Sequence, residues 1–131
     1  MATSTIANPV AKIHGIDILF ADSLVDVNDE ITLTHPISDY YFILLHFQTN
    51  SEHQWQLIPT EFIPIGNGMH AIHCSIFGSA SSGRVDYPPN YNSSINVQFV
   101  SANTIKCIMS IYNNINFRVA LNNVYGIWKK S

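Results

Sequence analysis

The sequence predicts an all-β fold: an antiparallel β-sandwich or jelly-roll-like domain of about eight short strands. Three observations carry this. Apolar residues recur with period two along most of the chain, as they do when alternate side chains face opposite sides of a sheet. Turn-forming clusters separate the alternating runs at short intervals. No segment carries an apolar stripe at helical spacing.

Taken in order, Ile16 to Phe20 is a short apolar run after Gly15. Ile31 and Leu33 alternate with Glu30, Thr32 and Thr34, and Pro36, which has no ladder donor, ends that run. Tyr40 to Phe47 is apolar at both parities, which predicts a strand covered on both faces. One face belongs in the core and the other against a partner or a second layer. Gln48 to Gln54 reads as a polar turn, followed by short strands at Trp55 to Ile58 and Phe62 to Ile65 around Pro59 and Pro64. Gly66-Asn67-Gly68 is a hairpin signal, and Met69 to Phe77 is a further strand. Gly78 to Ser94, with its Gly, Ser, Pro-Pro and Asn, reads as a long loop, and loops of that length commonly carry function. Ile95, Val97 and Phe99 then alternate with Asn96 and Gln98. Ile105, Cys107, Met109 and Ile111 line one face of the next strand, opposite Thr104, Lys106, Ile108 and Ser110. Phe117, Val119 and Leu121 resume the pattern, and Val124 to Trp128 closes it. The expected organisation is an N-terminal extension over residues 1–14 and one domain over 15–131, long enough to bury a core without staples.

Composition narrows the function classes. Hydrophobic residues make up 47% of the chain and charged residues 11%, against about 25% charged in a typical domain. Neutral polar side chains must cover the surface, and some apolar surface is expected to meet a partner, as in an obligate oligomer. With a net charge of -3 and no basic patch beyond Lys129-Lys130, nucleic acid is excluded as the expected partner. No apolar run reaches the roughly 20 residues of a membrane span, and Met1 to Ala11 has no signal-peptide layout. Cys74 and Cys107 each sit in an apolar strand pattern and read as buried thiols, with a disulfide left open.

Two clusters suit a sugar ligand. Trp55 offers a flat apolar face, with His53 and Gln54 beside it as hydrogen-bonding groups; the plainer alternative is that Trp55 opens a core strand. Arg84, Asp86, Tyr87 and Tyr91 lie on the long loop, where a guanidinium and a carboxylate can bind vicinal hydroxyls and a tyrosine can stack. The alternative there is a surface ion pair with tyrosines that pin the loop down. His46, His70 and His73 do not make a metal set, because His70 and His73 point to opposite faces of a strand and no Cys or carboxylate completes them. Catalysis is not expected: there is no Gly-x-Ser-x-Gly elbow, and Glu52 and Glu61 are the nearest approach to a glycosidase pair.

Two stretches resemble the C-terminal head domains of tail-fibre and receptor-binding proteins of tailed bacteriophages. The first comprises Ile18-Leu19-Phe20-Ala21-Asp22-Ser23, Glu30-Ile31-Thr32-Leu33, and Pro36-Ile37-Ser38-Asp39-Tyr40 leading into Phe42-Ile43-Leu44-Leu45. The second comprises Asn96-Val97-Gln98-Phe99, Thr104-Ile105-Lys106 and the closing Asn123-Val124-Tyr125-Gly126-Ile127. The likeness leaves out residues 48 to 94. Such heads usually follow a long shaft, whereas Met1 to Lys12 is all that precedes the domain here, so the expectation is either a fragment of a fibre or a small tail component. The resemblance implies a homotrimeric head in the virion that binds a host cell-surface saccharide and other tail proteins, with no catalysis and no cofactor. The alternative is a structural virion or assembly protein that binds only proteins. The expected subunit interface is the apolar strand carrying Tyr41, Ile43, Leu45 and Phe47, with Tyr125 and Ile127 from the last strand.

Overall fold

The computed structural model describes residues 16–66, 71–79 and 90–130, with the side chains of 79 and 90 excluded. It is a sandwich of two four-stranded antiparallel sheets. The strands are β1 (Ile16–Leu24), β2 (Glu30–Thr32), β3 (Tyr40–Gln48), β4 (His53–Pro59), β5 (Ile72–Ser79), β6 (Asn90–Ser101), β7 (Thr104–Tyr112) and β8 (Ala120–Lys129). One sheet runs β1-β8-β3-β4 and the other β2-β7-β6-β5. Short 3-10 turns lead into β3 (Ile37–Asp39) and β8 (Ile115–Phe117). Asn28, at φ 75°, supplies the left-handed residue between β1 and β2, a conformation that asparagine tolerates, and its N–H donates to the Cys107 carbonyl at 2.7 Å.

The core lies between the sheets. Leu19, Ile43, Leu45, Phe47, Leu121 and Val124 come from one sheet, and Cys74, Ile76, Ile95, Val97, Phe99, Ile105 and Cys107 from the other. Each large apolar side chain buried here stabilises the fold by about 1.5–3 kcal/mol. Tyr40 closes one end of the core: its ring packs over Gly126, and its hydroxyl donates to Asp17 Oδ2 at 2.6 Å. Burial, reinforced by that carboxylate, pushes the phenol well above its ordinary pKa, so it stays neutral.

Three segments differ from the sequence reading. Phe62 to Ile65 is not a strand: Thr60–Phe62 forms a 3-10 turn after Pro59, and Ile65 makes a single parallel bridge to Phe99. The 78–94 loop is shorter than expected, because β5 continues to Ser79 and β6 starts at Asn90. The alternation of β7 breaks at a bulge. Val97 pairs with Cys107 and Asn96 with Met109, so Ile108 is the extra residue and every later side chain changes face. Ile105 and Cys107 are buried as expected, but Met109 and Ile111 face solvent, and Ser110 turns inward with its hydroxyl buried and unpaired among the described residues.

The two thiols are buried and free. Cys74 pairs with Ile95 and Cys107 with Val97, so β6 lies between their strands. Two strand spacings amount to about 9.6 Å, too far for a disulfide, whose Cα atoms lie within about 7 Å. Burial raises the Cys74 thiol from 9.0 to about 11 and raises Cys107 as well.

Two expectations follow. Gly126→Ala would place a methyl group 2.6 Å from the Tyr40 ring, which is held between the ladder and Asp17. It should lower stability by about 1–3 kcal/mol in urea unfolding, as overpacking does. The fold favours the neutral Cys74 thiol, so that contribution is fully present below about pH 9 and is lost as pH rises through about 11. The urea midpoint should therefore fall over that window, and fall less in Cys74→Ala.

Candidate functional site: an aromatic platform on the outer face of one sheet

Alternation along β3 sends Ile43, Leu45 and Phe47 into the core and leaves Phe42, Leu44 and His46 on the outer face. The β3–β4 hairpin pairs Gln48 with His53 and His46 with Trp55, so His46, His53 and Trp55 share that outer face. On the other side of β3, His46 is opposite Asn123 and Leu44 opposite Tyr125. Five polar or aromatic side chains thus converge from three adjacent strands.

Trp55 lies parallel to His46, with ring centroids 4.0 Å apart and planes 12° apart, and Tyr125 sits behind them at 6.3 Å from Trp55. One indole face is thereby covered, yet Trp55 remains 54% exposed because β4 is an edge strand. His46 is nearly buried and bonded at both ring nitrogens: Nδ1 is 2.8 Å from Asn123 Oδ1, and Nε2 is 2.8 Å from His53 Nδ1. Asn123 Oδ1 can only accept, so His46 Nδ1 carries the proton. In the neutral pair, Nε2 then accepts from His53 Nδ1–H. That leaves His53 Nε2, without a partner among the described residues, as an acceptor beside the open indole face.

The turn beneath the platform is pinned from the core. Tyr91, expected as a loop ligand, is instead fully buried in β6, stacked on Phe117 at 4.4 Å, with Gly78 beneath its ring. Its hydroxyl bonds Thr49 Oγ1 at 3.0 Å and Ser51 Oγ at 2.9 Å, and Thr49 Oγ1 also accepts from the Glu52 N–H. Tyr91 therefore holds the residues that set the hairpin register, and offers no face to a ligand.

Of the other expected site residues, His53 and Trp55 are exposed and adjacent. Gln54 is on the opposite face, where it accepts the Cys74 S–H at 3.4 Å. Arg84, Asp86, Tyr87 and His70 lie outside the described residues. His73 bonds Asn96 and Ser75 on the outer face of the other sheet, remote from His46. Glu52 and Glu61 flank opposite ends of β4, whose seven residues span about 23 Å, far beyond the roughly 5–9.5 Å of a glycosidase carboxylate pair.

The expected interface residues are corrected by the same alternation. Ile43, Leu45 and Phe47 are fully buried in the core and cannot meet another subunit. Tyr41 is exposed but lies at the strand end, with Lys130 Nζ 5.4 Å from its ring. Tyr125 and Ile127 do face outward, and their neighbours are Phe42, Leu44, Ile16 and Ile18. Sequence reading missed His46 and Asn123 as members of the Trp55 cluster. A signal was present: once Gln48 is paired with His53 across the turn, antiparallel register places His46 opposite Trp55.

No family model and no curated protein matches this chain.

Proposed function

We propose that this protein is a non-catalytic receptor-binding head of a phage or prophage tail, and that it recognises a cell-surface saccharide on the Trp55 platform. The observation that carries the reading is an indole held rigidly on one face and open on the other, with the acceptor nitrogen of His53 beside it. A sugar ring offers an apolar face of C–H groups to an aromatic plane and hydroxyls at its edge, and this pairing of groups fits both. His46, Asn123 and Tyr125 act as positioning residues: they fix the indole and the imidazole before a ligand arrives, which limits the ordering entropy lost on binding.

The outer face divides in two. Beyond the platform it is apolar: Ile18 is 61% and Leu57 60% exposed, with Ile16, Phe42, Leu44 and Ile127 around them. This half supports a homo-oligomer, trimeric by the resemblance of the sequence, because rows of exposed aliphatic side chains on a flat sheet are the usual mark of a subunit contact. A purely structural tail protein would use the same apolar half and leave Trp55 idle.

Two measurements test this. A glycan array should yield a saccharide ligand, and Trp55→Ala should weaken it by about ten- to a hundredfold, while Phe77→Ser, on the exposed outer face of the other sheet, should leave it unchanged. Wild-type protein that binds no glycan but co-purifies with tail components would overturn the saccharide reading. Light scattering should give the mass of a trimer for the wild type and of a monomer for Ile18→Glu/Leu57→Glu; a wild-type monomer overturns the oligomer.

A further inference from the structure

The platform ends beside a second feature, a cavity of about 350 Å³ at the end of the same sheet. It is lined by Ser23 from β1, Gln48 with Thr49 and Asn50 from the end of β3, Asn116 and Arg118 before β8, and Asn122 within β8. A bulge adjoins it. Against β3, His46 pairs with Asn123 and Phe47 with Leu121, and against β1, Ala21 pairs with Asn123 and Leu24 with Leu121. Asn122 is therefore the extra residue against β3, and against β1 two residues, Asp22 and Ser23, lie opposite it, so both ladders are irregular at this point. Bulges re-aim a side chain at the expense of ladder regularity, and they recur next to binding sites.

The Asn122 side chain is incompletely satisfied. Asn122 Oδ1 is buried and has no hydrogen-bond partner among the described residues. That oxygen has no surface open to the cavity, so a ligand there meets the other polar groups of the lining. Most of the lining is neutral and polar, with amides from Gln48, Asn50, Asn116 and Asn122 and hydroxyls from Ser23 and Thr49, and Val25, Ile115 and Ala120 form its apolar part. The single cation, Arg118, is already bonded to Asp26 at 3.1 Å. Amides and hydroxyls both donate and accept, which is the complement of a sugar hydroxyl and not of an anion. The size falls within the range of small-ligand sites.

We infer that this cavity is a second saccharide subsite, which takes a neutral sugar unit held by the amides and hydroxyls of its lining, Ser23, Gln48, Asn50 and Asn116 among them. The inference rests on the saccharide reading of the platform for its setting, since Gln48 at the cavity rim is the cross-strand partner of His53. A single glycan then runs from Trp55 over His53 and Gln48 into the cavity, and the preferred ligand is an oligosaccharide.

The test is nuclear magnetic resonance on 15N-labelled protein, with glucose, galactose, N-acetylglucosamine and rhamnose and their oligosaccharides as probes. Two separate signals are followed: the Trp55 indole N–H, and the side-chain NH2 groups of Gln48, Asn50 and Asn122. At least one oligosaccharide should move both sets. Ser23→Tyr, a larger side chain at an exposed position of the cavity lining, should abolish the NH2 shifts and weaken that oligosaccharide by about tenfold, with the indole shift retained. Cavity NH2 signals that no probe moves, or an oligosaccharide affinity unchanged in Ser23→Tyr, overturn the inference whatever the indole does. An indole that no probe moves, with NH2 shifts intact, overturns the platform and leaves the cavity standing.

Discussion

Strand β8 lies between β1 and β3, and the arrangement of the outer face depends on that pair of ladders. Its inward residues, Leu121, Val124 and Gly126, meet the core, and Gly126 leaves room for the Tyr40 ring. Its outward residues set what solvent sees. With Asn123 opposite His46, the imidazole is oriented and Trp55 is held against it. With Asn122 bulged against β3, and both Asp22 and Ser23 opposite it in β1, the ladders break next to a cavity at one end of the face. A shift of β8 by one residue would exchange Val124 for Asn123 in the core and dismantle both features at once.

The shortage of charge is met in two ways. Neutral amides and hydroxyls bond to backbone where charged groups are few: Asn50 donates to the Asn116 carbonyl, the buried Ser93 to the Phe117 carbonyl, and Thr60 to the Tyr40 carbonyl. Ionic contacts contribute little, and the Arg118–Asp26 pair is largely exposed, in the range where such pairs add about 0–1 kcal/mol. The remaining apolar residues are not hidden within one chain: Ile16, Ile18 and Leu57 are exposed on the β1-β8-β3-β4 sheet, and Phe77, Met109 and Ile111 on the other. Recognition by neutral hydrogen bonds and association through an apolar half are consistent uses of such a surface.

Some of this was legible in the residue pattern. The strands β1, β3, β6 and β8 and the burial of Ile95, Val97, Phe99, Ile105 and Cys107 follow from period-two alternation bounded by turns. The failures also have physical causes. Ile111 and Met109 were expected on one face with Ile105 and Cys107 because a bulge leaves no mark in composition, yet it inverts every side chain beyond it. Tyr91 was expected on a loop because Asn and Ser around it favour turns, but its ring fills space over Gly78 between the sheets. Ile43 and Leu45 were expected at an interface because, in a strand apolar on both faces, the sequence cannot say which parity is inside.

By itself, then, the sequence determined the class of structure and the character of its surface: alternation selects sheets, and the scarcity of charge leaves the surface to neutral polar and apolar side chains. Both are properties of side chains taken a few at a time, and a linear pattern records them. Only the tertiary structure decided which face of each strand looks outward, that His46, His53, Trp55 and Asn123 meet, and that the ladders break at Asn122 next to a cavity. Those outcomes depend on register and on bulges, which are set when strands distant in sequence pair, and no local stretch of residues specifies them alone.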